Sequence, residues 1–389
     1  MQTEKFDAII NAVLEKHPDL SDIVMTPGKG VQAEVHGELV TVKLGPSLER
    51  LTPILTSAMS TALISDSKVH QRQLAGQGSC DLSYGLAGKG RFRVNIFKQR
   101  GNLSIVMRKL PTSIPTAKEL GLPPVFSDIA KEKYGMVLVT GGTGTGKSNS
   151  LAALIDRINE TRAVHILTLE DPVEFTHRHK KGVVNQREQH ADFDSFASGL
   201  RAALRQAPKV IMVGEIRDRE TMAIALQAAG TGHLVVSTIH ANDTGSTINR
   251  VLGLFDSAEQ RVVRMQLAES LKYVVSQRLL PGKEGGRVAA FEVMRNTLRI
   301  RELMLGGEDG DKTFYGIIAD GQPYGMQTFD QHLFALFEAG SITEETAMLA
   351  ASDRSKLGMM IDNIKMKRGE SISQLKVGEL EEDINLELA

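Results

Sequence analysis

GMVLVTGGTGTGKSNS, residues Gly135 to Ser150, runs from an apolar stretch into a loop with four glycines and then into Lys147 and Ser148. Gly141, Gly146, Lys147 and Ser148 satisfy the spacing G-x-x-x-x-G-K-[ST]. Leu151, Leu154, Ile155 and Ile158 come next at helical intervals, so strand, loop and helix stand in the order a phosphate-cradling loop needs. Glycines let successive backbone N–H groups turn toward phosphates, a lysine neutralises the β and γ phosphates, and a hydroxyl in the first helical turn can ligate Mg2+. The candidate nucleotide-binding positions are Gly141, Gly142, Thr143, Gly144, Thr145, Gly146, Lys147, Ser148 and Asn149, with ATP and Mg2+ as the expected ligands.

Such a loop serves motors, kinases and switches alike, so the other strand ends must separate them. KVIMVGEIRD, Lys209–Asp218, is an apolar strand ending at Gly214-Glu215, which makes Glu215 a candidate beside the metal and its waters. VHILTLEDPVEF, Val164–Phe175, runs into Glu170 and Asp171 before Pro172 stops it, and a carboxylate there can orient and deprotonate an attacking water. HLVVSTIH has His233 at its entrance and His240 at its exit; only the exit lies at the end of the strand where ligands bind in such sheets. Four apolar strands alternating with helical patterns predict a mainly parallel sheet covered by helices.

The remainder bounds the architecture. A chain of 389 residues suggests two or three domains. No apolar run approaches the roughly 20 residues of a membrane span. Lys+Arg of 46 against Asp+Glu of 47 gives no overall basic field for nucleic acid. The basic run HRHKK, His177–Lys181, reads as a solvated loop. A single cysteine, Cys80, excludes an intrachain disulfide or a cysteine-based zinc cluster and suits a reducing cytoplasm. Phe6, Ile9, Ile10, Val13 and Leu14 follow helical spacing, whereas VQAEVHGELVTV and RFRVNIFKQRGNLSIVMRKL alternate as half-buried strands do. Beyond them Pro111, Pro115, Pro123 and Pro124 interrupt regular structure and mark an interdomain connection. The expected organisation is therefore a first domain over 1–110, a linker over 111–124, an ATPase core over 125–294, a helical region over 295–370 and an acidic tail over 371–389. In the helical region, Phe329, Leu333, Phe334 and Phe337 share one face.

GGTGTGKS, LTLEDPVEF, VIMVGEIRDRET and TGHLVVSTIHAND, taken in this order with RFRVNIFKQRG and MRKLP in the first domain, resemble the type II/IV secretion ATPase superfamily. GMQTFDQHLFALFEAG resembles the carboxyl-terminal motif of its type IV pilus retraction branch, the PilT/PilU-like ATPases. The resemblance implies an α/β fold: a RecA-like P-loop core, an N-terminal PAS-like α+β domain and a C-terminal helical region. It implies a homohexamer at the cytoplasmic face of the inner membrane, where it meets a pilus platform protein, with a paralogous retraction ATPase as a further ring partner. Residue by residue it implies Glu170 as the water-activating base, Ser148 and Glu215 at the metal, and His240 as the γ-phosphate sensor. Arg93 and Arg108 are its arginines for phosphoryl charge, with Arg91 and Arg100 as alternates; placed before the linker, they are candidates for reaching a neighbouring subunit's nucleotide. The chain departs from the family pattern in having SDIV at Ser21–Val24 in place of SDLH and VMRNT at Val293–Thr297 in place of AIRNL. Related secretion or DNA-uptake motors, and an accessory nucleotide-binding ring subunit, remain the alternative readings.

Overall fold

The computed structural model describes residues 3–310 and 312–369. The acidic tail expected over 371–389 lies outside the described residues. Two sheets organise the chain. The first is antiparallel, with β1 (Asp22–Met25), β2 (Gln32–Val35), β3 (Glu38–Thr41), β4 (Ser79–Leu86), β5 (Gly90–Gln99) and β6 (Asn102–Lys109) in the order β3-β2-β1-β6-β5-β4. Alternation decides its faces. Phe92, Val94 and Ile96 point inward to meet Phe6, Ile10 and Val13 of the helix Thr3–Lys16, while Arg91 and Arg93 take the other face. The first domain is richer in helix than its pattern suggests, because Pro53–Ile64 and Lys68–Gln77 are also helical. Each opens on a side-chain cap, Thr52 to the Leu55 N–H and Ser67 to the His70 N–H.

The second sheet comprises β7 (Gly135–Thr140), β8 (His165–Glu170), β9 (Val183–Glu188), β10 (Val210–Val213), β11 (Leu234–Ile239), β12 (Leu271–Pro281) and β13 (Arg287–Arg295), ordered β13-β12-β7-β11-β10-β8-β9. β9, β8, β10 and β11 pair in parallel. The runs β7, β10 and β11 are buried at every residue, which is why they are apolar without alternation. The four strands expected from the sequence are present; β9 and the antiparallel pair β12–β13 are additional.

The described chain forms two compact units. One is drawn from Met1–Glu119, Phe126–Val137 and Ser148–Thr238, the other from Leu120–Val125, Leu138–Lys147 and Ile239–Ala389. Within the second, Leu280 and Ala290 of β12–β13 pack with Phe329, Leu333, Ile342, Leu357 and Ile361, and Phe334 and Phe337 join them partly buried. Asp330 beneath this cluster is itself buried, with one oxygen accepting from the Ser352 N–H (2.7 Å) and the other from the Tyr315 hydroxyl (2.9 Å) and the Asp353 N–H (3.0 Å). Arg278 on β12 lies 3.8 Å from the Phe329 ring centroid and donates to the Ala350 carbonyl and to Ser352.

Candidate functional site

The phosphate loop begins where fully buried β7 stops. Gly141 (φ +147°), Gly144 (φ +76°) and Gly146 (φ +88°) adopt backbone conformations closed to most L-residues. Space demands glycine at the first of them as well: a Cβ on Gly141 would stand 2.4 Å from the Gln277 carbonyl oxygen and 2.7 Å from Thr145 Oγ1. The loop feeds directly into the helix Lys147–Thr161. A turn with left-handed residues running into a helix N-terminus is a cradle for anions, because unpaired N–H groups and the helix dipole both favour negative charge there. Lys147 is only 9% exposed, and its Nζ donates to the carbonyls of Gly141 (3.0 Å) and Gly142 (2.6 Å). Ser148, one residue on, is exposed, and Asn149 is half-buried.

Supports for this loop come from β12, which sequence reasoning did not single out. Gln277 Nε2 donates to the Thr145 carbonyl (2.7 Å), and the Ser276 and Thr140 hydroxyls are 2.8 Å apart. Thr247 adds a hydrogen bond to Thr140 at 3.3 Å.

In the other unit, Glu170 ends β8 with 8% of its surface exposed. Its Oε1 accepts from the Thr168 hydroxyl (2.7 Å) and from Gln186 Nε2 (3.0 Å). Burial lifts its carboxyl to about 7, against the pull of those two hydrogen bonds toward the charged form. The group therefore titrates at neutral pH, where a general base is most effective. Gln186 is fixed in turn by the Phe175 carbonyl and the His177 N–H.

Glu215 follows β10 after Gly214, whose N–H binds the Leu169 carbonyl at 2.8 Å, and its carboxylate meets Arg217 at 2.5 Å. Asp171 is raised by its own burial; His190 and Arg93 oppose that rise, and Asp81 and Glu215 add to it. Arg93, Glu215 and Asp171 of one chain therefore share an electrostatic neighbourhood. Antiparallel register aligns Ser83, Arg93, Arg108 and Asp22 across four strands, on the face of the first sheet opposite its apolar core. Arg108 donates to Asp22 at 3.0 Å. Arg91 is held elsewhere: one oxygen of Glu188 accepts from Arg91 (3.1 Å), the Ser83 hydroxyl (2.7 Å) and the Val173 N–H (3.1 Å). Arg100 occupies the β5–β6 turn with φ +48°. His240 is exposed just beyond β11, in the unit that carries the phosphate loop. His233 is structural, its ring bonded to the Ala228 carbonyl.

The basic run His177–Lys181 is largely the solvated loop expected of it, with Arg178, His179, Lys180 and Lys181 exposed and His177 the exception. His177 is buried, which lowers its imidazole to about 4, and Lys180 binds Asp156 (2.7 Å) and Glu160 (2.8 Å) on the helix after the phosphate loop.

The model of the family described as type II/IV secretion system protein matches residues 8–301. The chain belongs to that family. Among secretion-family relatives, the type IV pilus retraction ATPase PilT of Pseudomonas aeruginosa is 47% identical over 267 residues, 69% of this chain and 77% of PilT. The type IV pilus ATPase PilU of the same organism is 37% identical over 375 residues, 96% of each chain. The crystal structure of the pilus retraction motor PilT with bound ADP superposes with a TM-score of 0.78 at 41% identity, covering 90% of this chain and 98% of that one. The secretion-family fold, α/β with a parallel sheet, an N-terminal antiparallel domain and C-terminal helices, is thus the fold of this chain.

Among the described residues of this secretion-family member, no group of three or more His, Cys, Asp or Glu could hold a metal ion, and no helix is long and apolar enough to cross a membrane. Mg2+ takes one or two protein oxygens and otherwise water and substrate phosphates, and Ser148 and Glu215 are hard oxygen donors of that kind.

Proposed function

We propose that this chain is the ATP-hydrolysing subunit of a ring motor that retracts a type IV pilus. The observation that carries the reading is the glycine-built loop with Lys147 at the start of its helix, in a chain similar to PilT over most of its length. Lys147 and the loop N–H groups bind the β and γ phosphates, and Glu170 orients and deprotonates the attacking water. Ser148 and Glu215 would hold Mg2+, which when bound offsets phosphate charge. His240 senses the γ-phosphate at the end of β11. The assembly is a homohexamer at the cytoplasmic face of the inner membrane, working on a pilus platform protein. Arg93 and Arg108 stabilise phosphoryl charge, reaching a neighbouring subunit's nucleotide from the first domain.

Steady-state hydrolysis by the purified ring, compared with Lys147→Ala, tests the enzyme. Loss of pilus retraction in a host lacking this chain, and its return with the wild type but not with Lys147→Ala, tests the motor. A Lys147→Ala variant with wild-type turnover sinks the reading. Mixing Lys147→Ala with Arg108→Ala subunits should restore part of the activity; verified mixed rings that stay as inactive as either parent would show that the arginine does not serve the neighbour. The alignment to PilU across 96% of both chains favours a second reading, an accessory paralogue whose ring works beside another retraction motor. Hydrolysis by the isolated protein without retraction in its own right would single that out.

A further inference from the structure

β12 meets the phosphate loop at two adjoining points. The Gln277 carbonyl lies where a side chain on Gly141 would go, and the Gln277 amide donates to the Thr145 carbonyl at 2.7 Å. The same Nε2 would stand 3.0 Å from a Cβ on Gly146. Gln277 is 4% exposed, so water does not compete freely for these contacts. Thr145 lies between the two left-handed glycines, Gly144 and Gly146. Rotating its peptide would turn the carbonyl inward and carry the Gly146 N–H away from the phosphates. A carbonyl facing the cradle would also repel the anion it is meant to admit.

We propose that Gln277 is a positioning residue for nucleotide phosphate: by holding the Thr145 carbonyl outward it keeps the loop's N–H groups aimed at the anion. The inference rests on the phosphate-loop reading of Gly141–Ser148. Chemistry at this position is specific. An amide nitrogen can donate to the carbonyl, a thioether of similar length cannot, and a carboxylate offers a second acceptor and a negative charge in its place.

Calorimetric titration of wild type, Gln277→Met and Gln277→Glu with ADP and Mg2+ tests it, alongside thermal melts. Gln277→Met should keep the fold and lose about 10-fold in affinity, as expected for a missing hydrogen bond that leaves a buried acceptor unpaired. Gln277→Glu should lose about 100-fold at pH 8, where its charge adds repulsion. Relative to wild type at each pH, Gln277→Glu should recover toward pH 5 as the carboxyl gains a proton to donate, whereas Gln277→Met should not. Filling space alone predicts no such recovery. Wild-type affinity in both folded variants overturns the inference. Should Gln277→Met melt below the assay temperature, the pH series of Gln277→Glu decides, and a constant ratio to wild type overturns it. Failure of the wild type itself to bind ADP would instead overturn the phosphate-loop reading.

Discussion

Lys147 and Glu170 are almost equally hidden from water, at 9% and 8% exposure, yet side chains take a larger part in holding the second. The lysine rests on the main chain, with two loop carbonyls as its partners. The carboxylate takes hydrogen bonds from the side chains of Thr168 and Gln186 as well as from the main chain of Glu174, and burial moves its titration to neutrality. A site built from backbone announces itself through glycines. One built from side chains is adjustable, and its supports leave no local mark in the sequence.

The sharpest break between the two comes from Glu170→Gln, which removes the base and keeps the shape. Turnover should fall by about 10²- to 10⁴-fold with nucleotide affinity nearly unchanged, as rapid-quench hydrolysis and an ADP titration would show. Unimpaired turnover would move the base elsewhere. Lys147→Ala should cost about 10²- to 10³-fold in turnover, and unlike the first variant it should weaken nucleotide binding as well.

Titration separates them further. The turnover of the wild type should rise with pH through about 7 on its acid limb. Thr168→Val removes a bond that favours the charged carboxylate, so this limb should move to higher pH. The same group bears on stability. Between about pH 4.5 and 7 the folded state holds a proton that the unfolded chain has released, so stability falls as pH rises across that window. Glu170→Gln should therefore stabilise the protein by on the order of 1–3 kcal/mol at pH 8 and not at pH 4. Melts that show equal differences at both values would contradict the raised carboxyl. The smallest effect is expected at Glu188→Gln, which weakens three hydrogen bonds without touching the phosphate loop: about 1–3 kcal/mol of stability, with ADP affinity unchanged.

Legibility in the sequence divides along the same line. β7, β8, β10 and β11 were legible because strands buried on both faces are mainly apolar, and the loop because Gly141, Gly144 and Gly146 take backbone conformations that favour glycine. β9 was not legible: only Val184 of VVNQRE is buried, so it shows neither an apolar run nor alternation. It nonetheless carries Gln186 and Glu188. The helix Pro53–Ile64 buries Thr56 and Ser60 and leaves Ile54 exposed, and Lys68–Gln77 buries only His70 and Leu74, so in neither does the apolar pattern mark the buried side. Gln277 reaches Thr145 from 132 positions away, a separation at which spacing carries no information about contact. His177 looked solvated because Arg178, His179, Lys180 and Lys181 come directly after it in the chain, whereas its burial depends on the helix that leaves the phosphate loop.

β12 also sets a rule about length. Gln277 faces the phosphate loop while its neighbour Arg278 grips the C-terminal helices, and consecutive residues of a strand point to opposite faces. Deleting any one residue between Leu271 and Ser276 would exchange these directions, sending the guanidinium toward the loop and the amide to the opposite face of the strand. Both attachments would be lost together. The segment can therefore accept changes of side chain one at a time, but its count of residues is locked to the pleat, and insertions belong in the turn after Pro281, where Gly282, Gly285 and Gly286 bring the chain back.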